Sequence, residues 1–557
     1  MLKISILFFK YLFRSLGIFL ELSFGGILSL FFYMLISSTI TPPNHPELSK
    51  PNRKEIAKNH YTIGQNYLRK NKEGVWEMYL EGDAYERGLH YGILAKELVQ
   101  YQEVVFVKQI DELIPSAFWQ RFLQMMLGFF NKDLPAHIAL ENQQEIYGIS
   151  QSFSDDYNYI GTKYQRILNY HAAHDIGHAL NDYSMVGCTS FSVKDDASED
   201  GKLLIGRNFD FYVGDAFAKE KLLLFIKPTK GIPFATYSWA GFTGVASGMN
   251  TEGLSVTINA SKSDLPKGTK TPIALLAREI LQFASTTQEA IAIAKKRKVF
   301  VSETIMVTSS KEHKTILIEK SPQTMGVFDP STNQVICSNH FQSNAFQNDP
   351  VNQDNIQNSD SKNRFTRVQE LLNRKKKLNP IDVAFILRNQ YGKKNDTLGM
   401  GNPAALNQLI AHHSVIMQPE SCVFWISTPP FQLGAFKGYQ LREFFKNPKN
   451  YNAQIRIEED PFVKTEAFQQ FLAFKKTKQR IFKFVTFGKP LALTPNEIEV
   501  FISQNGSYYH TYELLGDYFL KKQQKQMAGF YYQKALTKVL PSKQVKKEIE
   551  LKLNRTY

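Results

Sequence analysis

The sequence predicts an α+β protein in which two antiparallel sheets carry helices on their outer faces. Three patterns lead there. From residue 188 to about 345, short β-rich runs alternate with Gly and Asp-Gly turns. Amphipathic helices, Pro272 to Ala284 and Thr287 to Lys295, interrupt those runs. A last strand pair surrounds His413 to Ser427, after a helix that starts near Arg364. Hairpins followed by long helices bury both elements best as stacked sheets with helices outside.

The N-terminal 41 residues read as a membrane segment. Lys3, Lys10 and Arg14 precede Leu16 to Ile40, which is apolar apart from Glu21 and several Ser and Thr. The basic flank predicts a single pass through the cytoplasmic membrane, with the rest of the chain on the outer (periplasmic) side. A cleaved signal peptide, giving a secreted protein, is the rival reading. Residues 42–49, with their prolines, read as a stiff linker. Residues 50–187 read as mainly helical, with one strand signal at Val75 to Leu80. Residues 188–435 carry the β-rich body, with strands at Ser190 to Val193, Leu203 to Ile205, Lys221 to Ile226, Phe234 to Trp239 and Leu254 to Ile258. Further strands fall at Glu303 to Thr308, Lys314 to Glu319 and Gln334 to Ser338. The polar stretch Gln342 to Asn363 reads as a surface loop.

Residues 440–557 are basic and helical. Tyr512, Leu515, Gly516, Phe519, Ala528, Tyr532, Ala535 and Leu540 fall on the spacing of one tetratricopeptide repeat. A single repeat cannot bury its own face. Residues 512–540 must therefore pack on the body or bind a protein partner.

The net charge of +15 suits an anionic membrane surface better than nucleic acid, since Lys and Arg are spread along the chain. No nucleic-acid partner is expected. Three cysteines, Cys188, Cys337 and Cys422, exclude a disulfide framework and leave room for one Cys337–Cys422 bridge.

Chemistry concentrates around Cys188. Nineteen residues on from it stands Gly206-Arg207-Asn208-Phe209-Asp210, and the Asp200-Gly201 turn folds the two runs together as a hairpin. A guanidinium beside a thiol favours the thiolate. An aspartate beside an α-amino group orients it and holds its charge.

These runs resemble the acyl-coenzyme A:isopenicillin-N (6-aminopenicillanate) acyltransferase family and its relatives, the choloylglycine hydrolases, all N-terminal-nucleophile (Ntn) hydrolases. Gly82-x3-Glu86-x-Gly88-x3-Gly92 is similar to the pro-segment signature, and Gly187-Cys188-Thr189 to the self-cleavage site. Gly206 to Asp210 is similar to the strand bearing the arginine and aspartate. Gly248 to Leu254 followed by Asn259 is similar to the turn and strand of the first oxyanion asparagine. Ser338-Asn339-His340 sits where a second asparagine stands, and Arg364 in Ser361 to Val368 where a supporting arginine stands. The resemblance covers about residues 75–430; the N-terminal segment and the C-terminal repeat fall outside it.

The resemblance implies a four-layer αββα Ntn-hydrolase sandwich and a chain that cuts itself between Gly187 and Cys188, giving pieces of 187 and 370 residues. Cys188 is then the nucleophile and its own α-amino group the base. Asn259 and Asn339 hold the oxyanion, Asp210 orients the amine, and Arg207 biases the thiol or binds substrate. Arg364 supports the site. Substrates implied are N-acyl amides or acyl thioesters, without cofactor or metal.

Two rivals remain in the sequence. His340 could act as base in an uncleaved Cys–His thiol hydrolase. An inactive Ntn-like body could serve as a membrane-anchored scaffold. His171, His174 and His178 share a helical face but lack a fourth ligand, so they read as packing near the junction. His412 and His413 read as ordinary turn residues.

Overall fold

A computed structural model describes residues 40–114, 116–180, 187–264 and 268–557. Its strands are β1 (Lys54–Ala57), β2 (His60–Ile63), β3 (Asn66–Lys70), β4 (Trp76–Gly82), β5 (Thr189–Val193), β6 (Leu204–Phe209), β7 (Lys221–Pro228), β8 (Phe234–Trp239) and β9 (Ser247–Asn250). There follow β10 (Leu254–Ala260), β11 (Glu303–Ser309), β12 (Lys314–Lys320), β13 (Met325–Phe328), β14 (Gln334–Cys337), β15 (His413–Gln418), β16 (Val423–Ser427), β17 (Phe436–Gln440) and β18 (Ile455–Ile457).

Two sheets result. One runs β1-β2-β3-β4-β7-β8-β9-β10-β11-β12-β13, the other β14-β5-β6-β15-β16-β17-β18. The alternation of side chains along each strand sets the layers. In β7, Leu222, Leu224 and Ile226 face the helices of the upstream segment, while Leu223 and Phe225 face the second sheet. In β16, Phe424 and Ile426 meet that intersheet core, and Val423 and Trp425 face the helices Ser361–Leu372 and Pro380–Leu387. The order is helix, sheet, sheet, helix. The central strands are covered on both faces, and β7 (KLLLFIKP) accordingly reads as a nearly continuous apolar run.

The stretch 50–187 carries three strands beyond the one that the sequence signals. β1 to β3 precede β4, and β4 pairs in parallel with β7 from Trp76↔Leu222 to Gly82↔Pro228. The upstream segment therefore supplies four strands of the larger sheet. At the other end β17 and β18 continue the second sheet to Ile457, beyond the boundary expected at 435. The expected loop 342–363 is also partly helical. Asp349 caps the helix Pro350–Asn358 by accepting from Val351 and Asn352 N–H, and proline fills its first turn.

The motif at Gly82 to Gly92 has a packing explanation. The helix Ala84–Leu94 lies against Leu140–Ser150 so closely that a Cβ at Gly88 would collide with the Glu145 carbonyl oxygen. A Cβ at Gly148 would sit 2.5 Å from Leu89 N. Across this contact Glu145, buried, binds Arg87 at 2.7 Å and Arg278 at 3.1 Å. Burial alone would raise the Glu145 pKa, but the two guanidiniums outweigh it and hold it below the ordinary range. Arg278 belongs to the downstream helix Ile273–Phe283, so this ion triad also joins the segments on either side of Cys188.

The C-terminal repeat docks on its own chain. Helices Tyr509–Lys521 and Lys525–Leu536 form the expected hairpin, in which a Cβ at Gly516 would lie 2.5 Å from the Tyr532 ring. Tyr512, Leu515, Phe519, Ala528, Tyr532 and Ala535 share one buried core with Phe471, Phe474 and Leu409. The face considered for a protein partner is thus covered from within. Residues 42–49 lie along the body, with His45 stacked on Tyr85 at 4.4 Å between ring centroids. Among the described residues no helix is long and apolar enough to cross a membrane. The apolar run expected in the membrane lies, except for Ile40, outside the described residues. Cys188, Cys337 and Cys422 are free thiols, so the Cys337–Cys422 bridge is not formed.

The close helix contact yields a prediction. Glu145→Gln leaves Arg278 buried without its counter-charge and Arg87 with Glu141 alone, and we expect a loss of about 3–5 kcal/mol. Gly88→Val forces the helices apart and costs about 1–3 kcal/mol or more. Thermal unfolding of the full chain checks both: melting temperatures equal to wild type would refute the packing argument.

Candidate functional site

The β5–β6 hairpin builds the site. Gly201 takes the left-handed conformation (φ +73°) at its turn, and the register pairs Thr189 with Asn208 and Ser190 with Arg207. Cys188 thus stands just before β5, beside the strand that carries Arg207. Arg207 Nη2 lies 3.7 Å from Cys188 Sγ. Its Nη1 donates to Ser247 Oγ at 2.7 Å, and its guanidinium covers the Phe209 ring at 4.4 Å. All of these side chains are buried.

The peptide bond before the cysteine is held from several sides. Gly187 N–H donates to the main-chain oxygen of Asp210 at 3.0 Å. The Gly187 carbonyl accepts from Gln408 Nε2 at 3.3 Å. The Cys188 carbonyl accepts from Arg364 Nη1 at 2.6 Å. Arg364 also donates to Thr189 Oγ1 (3.1 Å), Asn339 Oδ1 (2.7 Å) and Asp360 Oδ1 (3.1 Å). Its grip on the cysteine's own carbonyl is more direct than the supporting position expected.

The side-chain amide N–H groups of Asn259 and Asn339 both donate to main-chain carbonyls. Asn259, delivered by the β9–β10 turn that Asn250 organises through Glu252 and Leu254 N–H, donates to Cys337 O at 3.2 Å and accepts from Ser190 Oγ at 2.9 Å. Asn339 donates to Ala260 O at 2.8 Å. Buried amide N–H groups take such acceptors because leaving them unpaired is costly.

Burial dominates the electrostatics. It pushes the Cys188 thiol up to about 11, against the opposing pull of Arg207 and with Asp210 and Glu303 adding to the rise. The expectation that Arg207 favours the thiolate is outweighed in the uncut chain. Burial likewise raises the Asp210 carboxyl to about 8, although Arg364 and Arg207 oppose it. Asp210 Oδ1 has no hydrogen-bond partner among the described residues, and Oδ2 is 3.5 Å from Gln408 Nε2.

The histidines sort differently from their reading in the sequence. His340 Nδ1 pairs with Ser361 Oγ at 2.7 Å, and burial brings it down to about 4. No hydrogen bond joins it to Cys188 among the described residues. His413 is no turn residue: it opens β15, fully buried, with Nε2 2.9 Å from Ser247 Oγ and Nδ1 2.9 Å from His412 Nδ1. Desolvation holds both well below the ordinary range. His171 uses both ring nitrogens, on Ile167 O (2.8 Å) and Thr243 N (2.9 Å). The side chains of His174 and His178 lie outside the described residues. Among the described residues no group of three or more His, Cys, Asp or Glu could hold a metal.

Sequence reasoning missed Gln408 and the Ser247–His413 pair; Gln408 and His413 reach the hairpin from about two hundred residues away, and Ser247 from 40. Asn208 of the hairpin connects it to the Gln408 loop. Its Nδ2 donates to Leu387 O and Leu406 O, both at 2.8 Å, and so anchors the loop that brings Gln408 in. A cavity of about 60 Å³ opens nearby, walled by Phe106, Phe153 and Tyr170 upstream and by Phe211, Trp239 and Phe242 downstream of Cys188. Phe209, under the Arg207 guanidinium, stacks on Phe211 at 5.6 Å.

Comparison with known proteins bears on this segment. An uncharacterized protein of Archaeoglobus fulgidus is 28% identical over 254 residues, covering 42% of this chain and 41% of that protein. Protein dcd1B of Dictyostelium discoideum is 25% identical over 274 residues, 46% of this chain and 52% of its own. The chain thus spans about half the length of these curated relatives or less. Among solved structures, the Caenorhabditis elegans ortholog of N-acylethanolamine-hydrolyzing acid amidase is 15% identical, with a TM-score of 0.31 over 42% of this chain and 93% of that one. A variant of conjugated bile acid hydrolase from Clostridium perfringens is 14% identical, with a TM-score of 0.31 over 49% and 98%. Residues 197–395 match the family model for acyl-coenzyme A:6-aminopenicillanic acid acyl-transferase. The segment carrying Arg207, Asp210, Asn259, Asn339 and Arg364 is therefore the part of the chain that matches the acyltransferase family model.

Proposed function

We propose that this chain is an Ntn cysteine amidohydrolase or acyltransferase that cuts itself between Gly187 and Cys188 and then acts on N-acyl amides through an acyl-cysteine. The carrying observation is the clamped Gly187–Cys188 peptide with the Cys188 thiol beside Arg207. A thiol at this position can attack the preceding carbonyl, forming a thioester to Gly187 as the C–N bond breaks and the thiol proton passes to the departing nitrogen. Water then releases Gly187 as a carboxylate and regenerates the thiol.

The freed α-amine becomes the base for the second activity. It takes the thiol proton while Cys188 Sγ attacks the acyl carbonyl of a substrate and gives it to the departing amine. Asp210, with an unpartnered carboxylate oxygen, orients that amine. Asn259 and Asn339 turn from their main-chain acceptors to the substrate oxyanion. Arg207 holds the thiol or the substrate, and Arg364 holds the Cys188 carbonyl. Water resolves the acyl-cysteine in hydrolysis, an amine in transfer. The aromatic cavity beside Phe209 supports an apolar acyl group, delivered as an amide or a thioester. We further propose that residues 16–40 anchor the enzyme with this site on the outer side of the cytoplasmic membrane.

Purified full-length protein run on a denaturing gel tests the reading. We expect a 370-residue chain beginning Cys-Thr-Ser-Phe, absent in Cys188→Ala. An intact wild-type chain under all conditions would overturn it.

Asp210 supplies a pH prediction. Its folded pKa is raised, so its contribution to stability is full below the unfolded value and is lost as pH rises from about 4 toward about 8. In Cys188→Ala, Asp210→Asn should raise the melting temperature above about pH 8 and leave it nearly unchanged near about pH 4. A pH-independent difference would show that Asp210 does not titrate as argued.

A further inference from the structure

We propose that Gln408 is a catalytic residue of the self-cleavage step, its side-chain amide holding the Gly187 carbonyl and stabilising the oxyanion formed there. The inference rests on the self-cleavage reading above and names the group that serves it. Neither Asn259 nor Asn339 donates to that carbonyl; their amides are bound to Cys337 O and Ala260 O. Among the described residues, the side-chain donor on Gly187 O is Gln408 Nε2, at 3.3 Å. The fit is close. A Cβ at position 187 would displace the Gln408 amide from its place, so glycine there is what lets that amide approach the carbonyl.

The segment carrying Gln408 is built to hold it still. Loops ordinarily run over the surface, yet Asn402, Ala404, Ala405, Leu406, Asn407 and Gln408 are all buried. Asn208 ties Leu406 O to β6, and Asn407 N donates to Asn389 O at 2.8 Å. On the other side the C-terminal helices brace the loop. Met400 and Asn505 exchange hydrogen bonds of 3.0 and 2.8 Å, Asn402 Nδ2 donates to Val539 O at 3.2 Å, and Leu409 belongs to the C-terminal core. The repeat region thus positions a group at the scissile bond.

In the step itself, the Cys188 Sγ–Gly187 carbon bond forms and the carbonyl electron pair moves to oxygen, where the Gln408 N–H receives the charge. Collapse of this oxyanion breaks the Gly187–Cys188 C–N bond, and the thiol proton ends on the nitrogen. Water hydrolyses the resulting thioester. Removing one donor of this kind slows acyl transfer by about 10²–10³-fold.

The test follows conversion of newly translated full-length chain to the 370-residue product over time, for wild type, Gln408→Leu and Gln408→Glu. We expect Gln408→Leu to be slower by about 10²-fold. Gln408→Glu should be slow at neutral pH and recover as pH falls and its carboxyl becomes a donor. A merely structural role would not produce that pH profile. Melting temperatures in the Cys188→Ala background establish that each variant folds. Wild-type rates in Gln408→Leu, or a wild-type pH profile in Gln408→Glu, would overturn the role of Gln408 while leaving self-cleavage intact. A wild-type chain that never cleaves would instead remove the reading on which this one rests.

Discussion

Everything at the site depends on one buried connection, the hold of Arg364 on the carbonyl of Cys188. A guanidinium with no solvent exposure needs several acceptors, and here five residues at three places in the chain supply them: Cys188 and Thr189, Ser338 and Asn339, and Asp360. Satisfying that one cation therefore brings together the head of β5, the end of β14 and the start of the helix Ser361–Leu372. Asn355 and Ser361 extend the same logic, the first donating to Asn339 O at 2.6 Å and the second accepting from Asn339 N at 2.8 Å. The polar stretch 342–363 is largely at the surface, yet its buried Asn355 and Ser361 point inward and hold Asn339.

The second constraint is topological. β4 lies upstream of Cys188 and pairs along its full length with β7 downstream of it. The buried Arg87–Glu145–Arg278 triad and the close glycine contact add to that seam. A cut at Gly187–Cys188 therefore falls inside one sheet and one core. Two products would separate only by exposing a central strand and leaving buried charges unpaired, at a cost of several kcal/mol for the charges alone. On the self-cleavage reading, the upstream piece is a lasting subunit that also lines the cavity with Phe106, Phe153 and Tyr170.

Much of this was legible because its signals are local. The Asp200-Gly201 turn and the two apolar runs around it specify the β5–β6 hairpin, and the hairpin puts Arg207 beside Cys188 without further information. β1 to β3 gave no such signal. β1 is exposed along its length, and β2 and β3 mix polar with apolar residues, so neither alternation nor an apolar run marks them. The helix Pro350–Asn358 was hidden by composition, although Asp349-Pro350 is a start signal that composition should not override. Gln408 and His413 were beyond reach for a different reason. Their places follow from β15 lying beside β6 and from the C-terminal core gripping the loop before it, and no local pattern encodes either contact.

The uncut site also explains why a precursor would be chemically quiet toward substrates. Burial holds the Cys188 thiol near about 11 and Asp210 near about 8, so at neutral pH the centre is largely protonated. The histidines nearby cannot take over as bases. Desolvation keeps His412 and His413 neutral, His413 shares Ser247 with Arg207, and His340 is bound to Ser361. Cutting the chain would add the one group that is missing. A free α-amine, with an ordinary pKa of about 8, would arise on Cys188 itself, whose thiol already feels the Asp210 charge. Its positive form would lower the cost of ionising both the carboxylate and the thiol, since an opposite charge at close range favours the charged state. On this reading the base is produced by the same reaction that exposes the nucleophile, and the charges that the fold leaves unbalanced are those that the new amine balances.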